Sequence, residues 1–304
     1  MVTVSVPGKV HLMGEHAVVY GAPALLAAVN LRLRVSVEGG TRGLEIVSSE
    51  PPEYVRHAVD VVRQEYKRDS LPSIKITVVS DIPAGYHLGS SAAVAVGVAG
   101  AMTYYLKKVW NPASVNQIAY EIEKTMHGNP SGGDNTAVTM GGFIWFRKEL
   151  EFLKSIWQLP FKLPQSLDHF FLIDTGRPKE TTGEMVAYVK SKVKGQKSKF
   201  ERLFVENERQ VRRIAMGIKE GNEKELIDAI CAGERTLEGM GVVSKAVIPL
   251  IRSVEKSGGA AKILGGGGRK EGVGYLLAYH RGPAKWKGIP ITLGEEGIRL
   301  EARD

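Results

Sequence analysis

From Ser91 to Leu106 the chain carries no charged side chain and is made mostly of alanine, valine and glycine, ending in Lys107-Lys108. A helix of this kind has no polar face, so it must be buried on most sides. The apolar run Ala92 to Met102 is too short for a membrane span, which takes ~18 residues or more. It therefore has to lie inside a globular core, with other elements packed around it. The two lysines suit the negative end of the helix dipole.

The elements around it follow from periodicity. Val2, Val4 and Val6 alternate, as do Leu31, Leu33, Val35 and Val37, so residues 1–40 read as strands. Pro7-Gly8 is expected to break the first of them, and Gly21-Ala22-Pro23 marks a turn. Residues 53–68 read as a helix and Ile74 to Val79 as a strand. Asn111-Pro112 is an N-cap followed by proline at the first helical position. The helix after it carries Val115, Ile118, Ala119, Ile122 and Met126 on one stripe, with Glu123 at its edge. Gly141 to Phe146 reads as a strand. Pro160 to Gln165 resembles an interdomain link, after which strand His169 to Ile173, long helices and four late strands follow. Strands and helices mix without a regular βαβ rhythm, which argues for an α+β protein in two layers. The division expected is 1–163 and 164–304.

At 304 residues and 43% hydrophobic, the chain is long enough for two domains with real cores and is not disordered. Its one cysteine, Cys231, excludes an internal disulfide and a cysteine-built zinc site, and fits a reducing compartment. The N-terminus begins directly with a strand pattern and shows no secretory signal, so a cytoplasmic location is expected, with no membrane partner. The net charge of +8 fits nucleic acid or small anionic substrates. The lysines at 190, 192, 194, 197 and 199 have one aromatic neighbour and no stacking pattern, which favours solvated surface over a nucleic-acid partner.

Four segments carry chemistry. In His127-Gly128-Asn129-Pro130-Ser131-Gly132-Gly133-Asp134-Asn135, a turn-rich loop presents the carboxylate of Asp134, eleven residues after Glu123. Two carboxylates so held suit a general base and a metal ligand for phosphate chemistry; the alternative is a helix C-cap and a solvated loop. In the stretch from Asp81 to Ala93, a glycine loop runs into a helix start. Free N–H groups there, with the helix dipole, make an anion site. Gly85 and Gly89 let backbone approach phosphates, and Ser90 and Ser91 can cap the helix, bond a phosphate or ligate Mg²⁺. It is neither a Walker A loop nor a dinucleotide fingerprint. In Pro7-Gly8-Lys9-Val10-His11-Leu12-Met13-Gly14-Glu15-His16, Lys9 is a cation beside a backbone break, suited to developing negative charge. Lys262-Ile263-Leu264-Gly265-Gly266-Gly267-Gly268 is a strand running into four glycines, which must approach another backbone or a ligand closely, or form a flexible hairpin.

Taken in chain order, the segments at Pro7–His16, Gly85–Ala93 and Lys262–Gly268 resemble the three motifs of the GHMP small-molecule kinases, and the loop from His127 to Asn135 is similar to the mevalonate kinase branch of that superfamily. The resemblance spans residues 5–274. It implies a two-domain fold, a ribosomal protein S5 domain 2-like N-terminal domain and a ferredoxin-like C-terminal domain, with ATP and substrate between them. It further implies that Asp134 takes the proton of the substrate hydroxyl and that Lys9 holds Asp134 ionised and stabilises phosphoryl charge. The nucleotide contacts implied are Pro83, Gly85, Leu88, Gly89, Ser90, Ser91 and Ala92; Ser90 or Ser91 with Glu123 would hold Mg²⁺; Glu15, His16 and Thr181 would meet mevalonate. The expected activity is ATP-dependent phosphorylation of the mevalonate 5-hydroxyl in the route to isoprenoids, and a homodimer is what the family suggests. Another acceptor (phosphomevalonate, the mevalonate 3-hydroxyl or a sugar) and a basic nucleic-acid-binding or regulatory protein on the same fold are the alternatives.

Two positions depart from the pattern: His87 stands where the second motif usually has glycine, and Leu264 replaces a hydroxyl residue in the third, which Arg269-Lys270-Glu271 then interrupts. Of these, Lys270 is expected to face solvent and Arg269 to meet a phosphate or an acidic residue, with Glu271 as its neutralising alternative.

Overall fold

Alternating apolar residues near the N-terminus produce two long antiparallel strands, β1 (Val2–Met13) and β2 (Pro23–Gly39). The structure is a computed structural model and describes residues 1–127, 131–150, 153–282 and 285–301. After β2 come β3 (Leu44–Ser48), α1 (Pro52–Glu65), β4 (Ile74–Ser80), α2 (Ser90–Lys107), α3 (Pro112–His127), α4 (Gly133–Met140), β5 (Phe143–Lys148) and β6 (Lys154–Gln158). The second half contributes β7 (Phe170–Asp174), α5 (Thr182–Gly195), α6 (Lys197–Glu220), α7 (Glu223–Met240), α8 (Ile248–Lys256), β8 (Ala260–Ile263), β9 (Tyr275–Tyr279), β10 (Gly288–Ile291) and β11 (Arg299–Leu300).

Among the described residues the strands form two sheets. The first runs β11-β1-β2-β4-β3, with β5 and β6 continuing from the other end of β2; the second runs β10-β7-β9-β8. Only β3 and β4 pair in parallel, so the sheets are mixed α+β and not doubly wound. The chain closes on its start, since β11 pairs with β1 through Val4 and Leu300.

The charge-free helix α2 lies on the first sheet, and Ala92 to Thr103 are all buried. Its small residues are there because the backbone comes close: a Cβ at Gly97 would stand 2.7 Å from Val35, and one at Gly100 2.6 Å from Ile298. One apolar core runs from this sheet into the inner face of the second, taking in Leu172, Leu277 and Tyr279. A second cluster joins the other face of that sheet to Met185, Leu237 and Ile251 of its helices. Among the described residues no helix is long and apolar enough to cross a membrane.

Two local expectations fail, for physical reasons. Pro7-Gly8 does not end the first strand. The strand continues with a shift of register between Pro7 and Gly8, a bulge that absorbs the missing proline N–H and turns the backbone. Asp134 lies not in a loop but in the first turn of α4, which begins after Gly132 in the left-handed conformation that glycine adopts freely.

Candidate active site

The bulge in β1 directs Lys9 under the glycine loop between β4 and α2. The Lys9 N–H donates to Leu88 O at 2.9 Å, and the Lys9 stem runs beneath Gly89, where a Cβ would be 2.8 Å from Lys9 Cγ. Gly89 therefore has to be glycine both for this approach and for its left-handed φ of 80°. Its backbone caps α2 without a side-chain hydrogen bond, so the first-turn N–H groups of α2 stay available to an anion.

Lys9 Nζ lies 3.0 Å from Asp134 Oδ2, and His11 Nε2 lies 3.4 Å from Asp134 Oδ1. Asp134 also gains from the positive end of the α4 dipole. Burial alone would raise its carboxyl, but the Lys9 charge and the His11 hydrogen bond outweigh this and hold it well below the usual carboxylate range. Its side chain is 42% exposed and faces a cavity.

That cavity, about 550 Å³, is lined from the first half by Gly85, His87, Leu88, Gly89, Ser90, Ser91 and Asp134. From the second half come residues 177–182. The volume suits a small-molecule site. Ser90 Oγ is buried there with no hydrogen-bond partner. Pro83 and Ala92, expected to bind nucleotide, flank this lining without joining it; Ala92 is in the core. Thr181 reaches the cavity as the N-cap of α5, in a capping box with Glu184.

Glu123 is buried and accepts the hydroxyl of Tyr54 from α1, next to a second bond from His57 to Thr125 at 2.6 Å. Burial, with Glu123 beside it, raises the Tyr54 hydroxyl above its ordinary value, so the proton stays on tyrosine. Gly128, Asn129, Pro130 and the side chain of His127 lie outside the described residues.

Glu15 and His16, expected to touch substrate, are both engaged with the third glycine segment. Glu15 forms a buried ion pair with Lys262, whose Nζ also donates to His11 O at 3.0 Å. His16 Nε2 lies 3.1 Å from Gly266 O, and burial lowers its basicity. The four-glycine turn packs on His87: a Cβ at Gly265 would be 2.5 Å from His87 Cβ. His87 Nδ1 reaches Thr182 Oγ1 at 3.3 Å, and burial, then the Lys9 charge, push its imidazole down to about 4. Arg269 stacks on Tyr188, 4.0 Å from the ring centroid, while Glu271 pairs with Lys179 at 2.6 Å. Lys270 is exposed, as expected.

The structure thus brings together Lys9, Asp134, the loop Gly85 to Ser91 and Thr181, while Glu15, His16 and Glu123 are buried and do not join the cavity lining. The sequence alone did not single out His11, Arg177, Tyr54 or Lys262. His11 was legible in one respect: it lies two residues from Lys9 on a strand, hence on the same face. Arg177, whose guanidinium would lie 3.0 Å from a Cβ placed on Gly85, and Tyr54 come from distant segments without a local signal.

Among the described residues no three acidic or histidine side chains cluster to hold a metal. A Mg²⁺ bound mainly through phosphates needs only one or two carboxylates, and the orphaned Ser90 oxygen is a suitable hard ligand, so the residues present fit that ion.

Comparison with known proteins places this geometry. The family description "GHMP kinases N terminal domain" matches residues 53–142. The mevalonate kinase of Archaeoglobus fulgidus is 31% identical over 304 residues, covering 98% of this chain and 99% of that protein. That of Thermococcus sibiricus is 30% identical over 347 residues, covering 99% and 98%. The crystal structure of L. major mevalonate kinase in complex with R-mevalonate superposes with a TM-score of 0.79 at 24% identity, over 91% of this chain and 86% of that one, and shows the shared fold.

Proposed function

The chain belongs to the mevalonate kinase family of the GHMP kinases, and from that premise we infer that it transfers the γ-phosphoryl group of ATP to the primary 5-hydroxyl of mevalonate, giving 5-phosphomevalonate and ADP. The observation that carries this is the Lys9/Asp134 pair at 3.0 Å, whose aspartate lines a cavity together with the start of α2.

Phosphoryl transfer needs positioning and charge neutralisation more than covalent help from the protein. The N–H groups of the first turn of α2 and the glycines at 85 and 89 receive the phosphates. Lys9, 3% exposed and anchored below the loop, offers its ammonium to charge developing on the transferred group. Asp134 faces the cavity ionised, orients the acceptor hydroxyl through a hydrogen bond, and receives its proton as the new bond to phosphorus forms. A carboxyl held this far down is a weak base, so orientation is the larger part of its contribution. Ser90 or Ser91 and Glu123 are the side chains suited to Mg²⁺, which supplies charge neutralisation across the phosphates. Arg177 and Thr181 line the cavity from the second half of the chain, where they would meet the acceptor.

The boundary between an N-terminal unit, 1–163, and a C-terminal unit, 164–304, is proposed with one exchange: β11 returns to the first sheet. Family membership also supports a cytoplasmic homodimer. ADP release measured over mevalonate, phosphomevalonate and a panel of sugars, with the product's phosphate located by NMR, tests the activity. Phosphate on the tertiary hydroxyl, or turnover with phosphomevalonate alone, would overturn it.

A further inference from the structure

Both oxygens of Asp134 are occupied from one strand. Lys9 takes Oδ2 and His11 takes Oδ1, and the two lie at i and i+2 on the same face of β1. His11 is 15% exposed, and its other ring nitrogen, Nδ1, is buried with no hydrogen-bond partner. A proton on Nδ1 would be an unsatisfied donor, whereas a proton on Nε2 faces a carboxylate. The carboxylate opposite Nε2 therefore makes that nitrogen the donor to Asp134.

We infer that His11 is a positioning residue for phosphoryl transfer, its Nε2–H fixing the plane of the Asp134 carboxylate that Lys9 alone leaves free to turn. This rests on Asp134 being the group that takes the acceptor's proton. Lys9 and His11 together hold both oxygens, leaving the remaining lone pairs directed into the cavity. A histidine does this without the permanent charge of a lysine or arginine. A second lysine or an arginine at position 11 would lower the basicity of Asp134 further and compete for the phosphates. The distance of 3.4 Å is long for a hydrogen bond, as such contacts often are before substrate binds.

Lys9 stands beside His11 on β1, His87 faces the same pair from the glycine loop, and His16 approaches from the turn after β1. Lys262 of β8 binds the His11 carbonyl. Asp134 is the acidic group in contact with the ring. Since the hydrogen bond stabilises ionised Asp134, removing it raises that carboxyl's pKa. Activity is then lost at a higher pH on the acid side.

The test compares His11→Leu with His11→Gln, which places an N–H at a similar distance from its Cα. Leucine is expected to lower kcat by roughly tenfold with the KM for ATP unchanged, and to move the acid limb of the kcat profile upward. Glutamine is expected to recover most of the rate and to return the acid limb toward that of the unaltered protein. Infrared detection of the Asp134 carboxyl, assigned with Asp134→Asn, should report the same upward shift in the leucine variant without turnover. Unaltered kcat and profile for His11→Leu, or equal losses in both variants with an unmoved acid limb, would overturn the inference. Asp134→Asn run alongside separates the premise: if that variant turns over at the unaltered rate, the role given to Asp134 fails, whatever His11 does.

Discussion

Lys9 Nζ lies 3.0 Å from Asp134 Oδ2, yet the lysine is 3% exposed and the aspartate 42%. The pair is therefore directional. The ammonium is fixed by the loop above it, and the carboxylate is the member that meets the cavity. Two glycines make this possible. Gly8, in the β1 bulge, has Leu88 O 3.1 Å from where its Cβ would be, and Gly89 leaves room for the lysine stem. The first and second glycine motifs are thus one steric unit, brought together so that a cation can pass beneath the glycine loop before α2.

Replacing Asp134 by asparagine keeps the shape and removes the proton acceptor. Lys9 is then left without its counter-charge. The rate is expected to fall by about 10²-fold or more, the usual range for a lost general base. Because the α2 N–H groups are untouched, the KM for ATP should change little. A rate close to that of the unaltered enzyme would remove Asp134 from the chemistry.

Glu123→Gln tests the metal assignment. The carboxylate is buried against the Tyr54 hydroxyl and does not join the cavity lining, so its substitution should affect the ion more than the acceptor. The Mg²⁺ concentration for half-activation at saturating ATP is expected to rise about tenfold or more, with the KM for mevalonate little changed. Tyr54→Phe removes the hydroxyl that Glu123 accepts and should produce a smaller change in the same direction. An unaltered Mg²⁺ titration for both variants would leave Glu123 as a structural carboxylate.

Much of the fold was legible because it obeys short-range periodicity. The alternating valines of β1 and β2 and the charge-free α2 declare their burial directly. Lys9 and Asp134 were singled out through motif resemblance, and the structure sets them 3.0 Å apart. What periodicity could not show was the commitment of side chains to distant partners. Glu15 looks like a ligand-binding carboxylate until Lys262 is placed against it, 247 residues later. Pro7-Gly8 looks like a strand end until a bulge carries the pairing through. Asp134 looks like a loop residue because α4 is only eight residues long, too short for a periodic signal. Arg269 has no local partner in sequence, and its stacking on Tyr188 depends on how the glycine turn meets α5.

His87 occupies a left-handed conformation, φ 63°, where glycine is unstrained. Its imidazole is pushed down to about 4 by burial and then by Lys9, against an ordinary value of 6.5. As pH falls below 6.5 the unfolded chain takes up a proton that the folded protein refuses until about pH 4. Stability is therefore expected to decline across that interval and to level off below it. His87→Gly should flatten this part of the Tm profile while relieving the backbone. A Tm profile with the same slope between pH 6.5 and 4 would show that other groups set the acid sensitivity.

Glu234 gives the opposite sign. Its carboxyl, buried on α7, accepts the Ile263 N–H at 3.0 Å through one oxygen, while the other oxygen has no partner. Burial pushes it up to about 8, against the opposing effects of the Ile263 hydrogen bond and Lys262, with Glu238 and Glu15 adding to the rise. The folded protein therefore holds a proton that the unfolded chain releases near 4.5. The stabilisation is complete below about 4.5, declines as pH rises, and is gone above about 8. Glutamine mimics the protonated form: its amide oxygen can accept the Ile263 N–H, and its NH₂ replaces an equally unpartnered hydroxyl. Glu234→Gln should thus melt close to the unaltered protein at pH 4.5 and several degrees above it at pH 9. The comparison at two pH values separates titration from packing. A packing defect would displace both melting points alike, and that result would mean Glu234 is not the group that couples this core to alkaline pH.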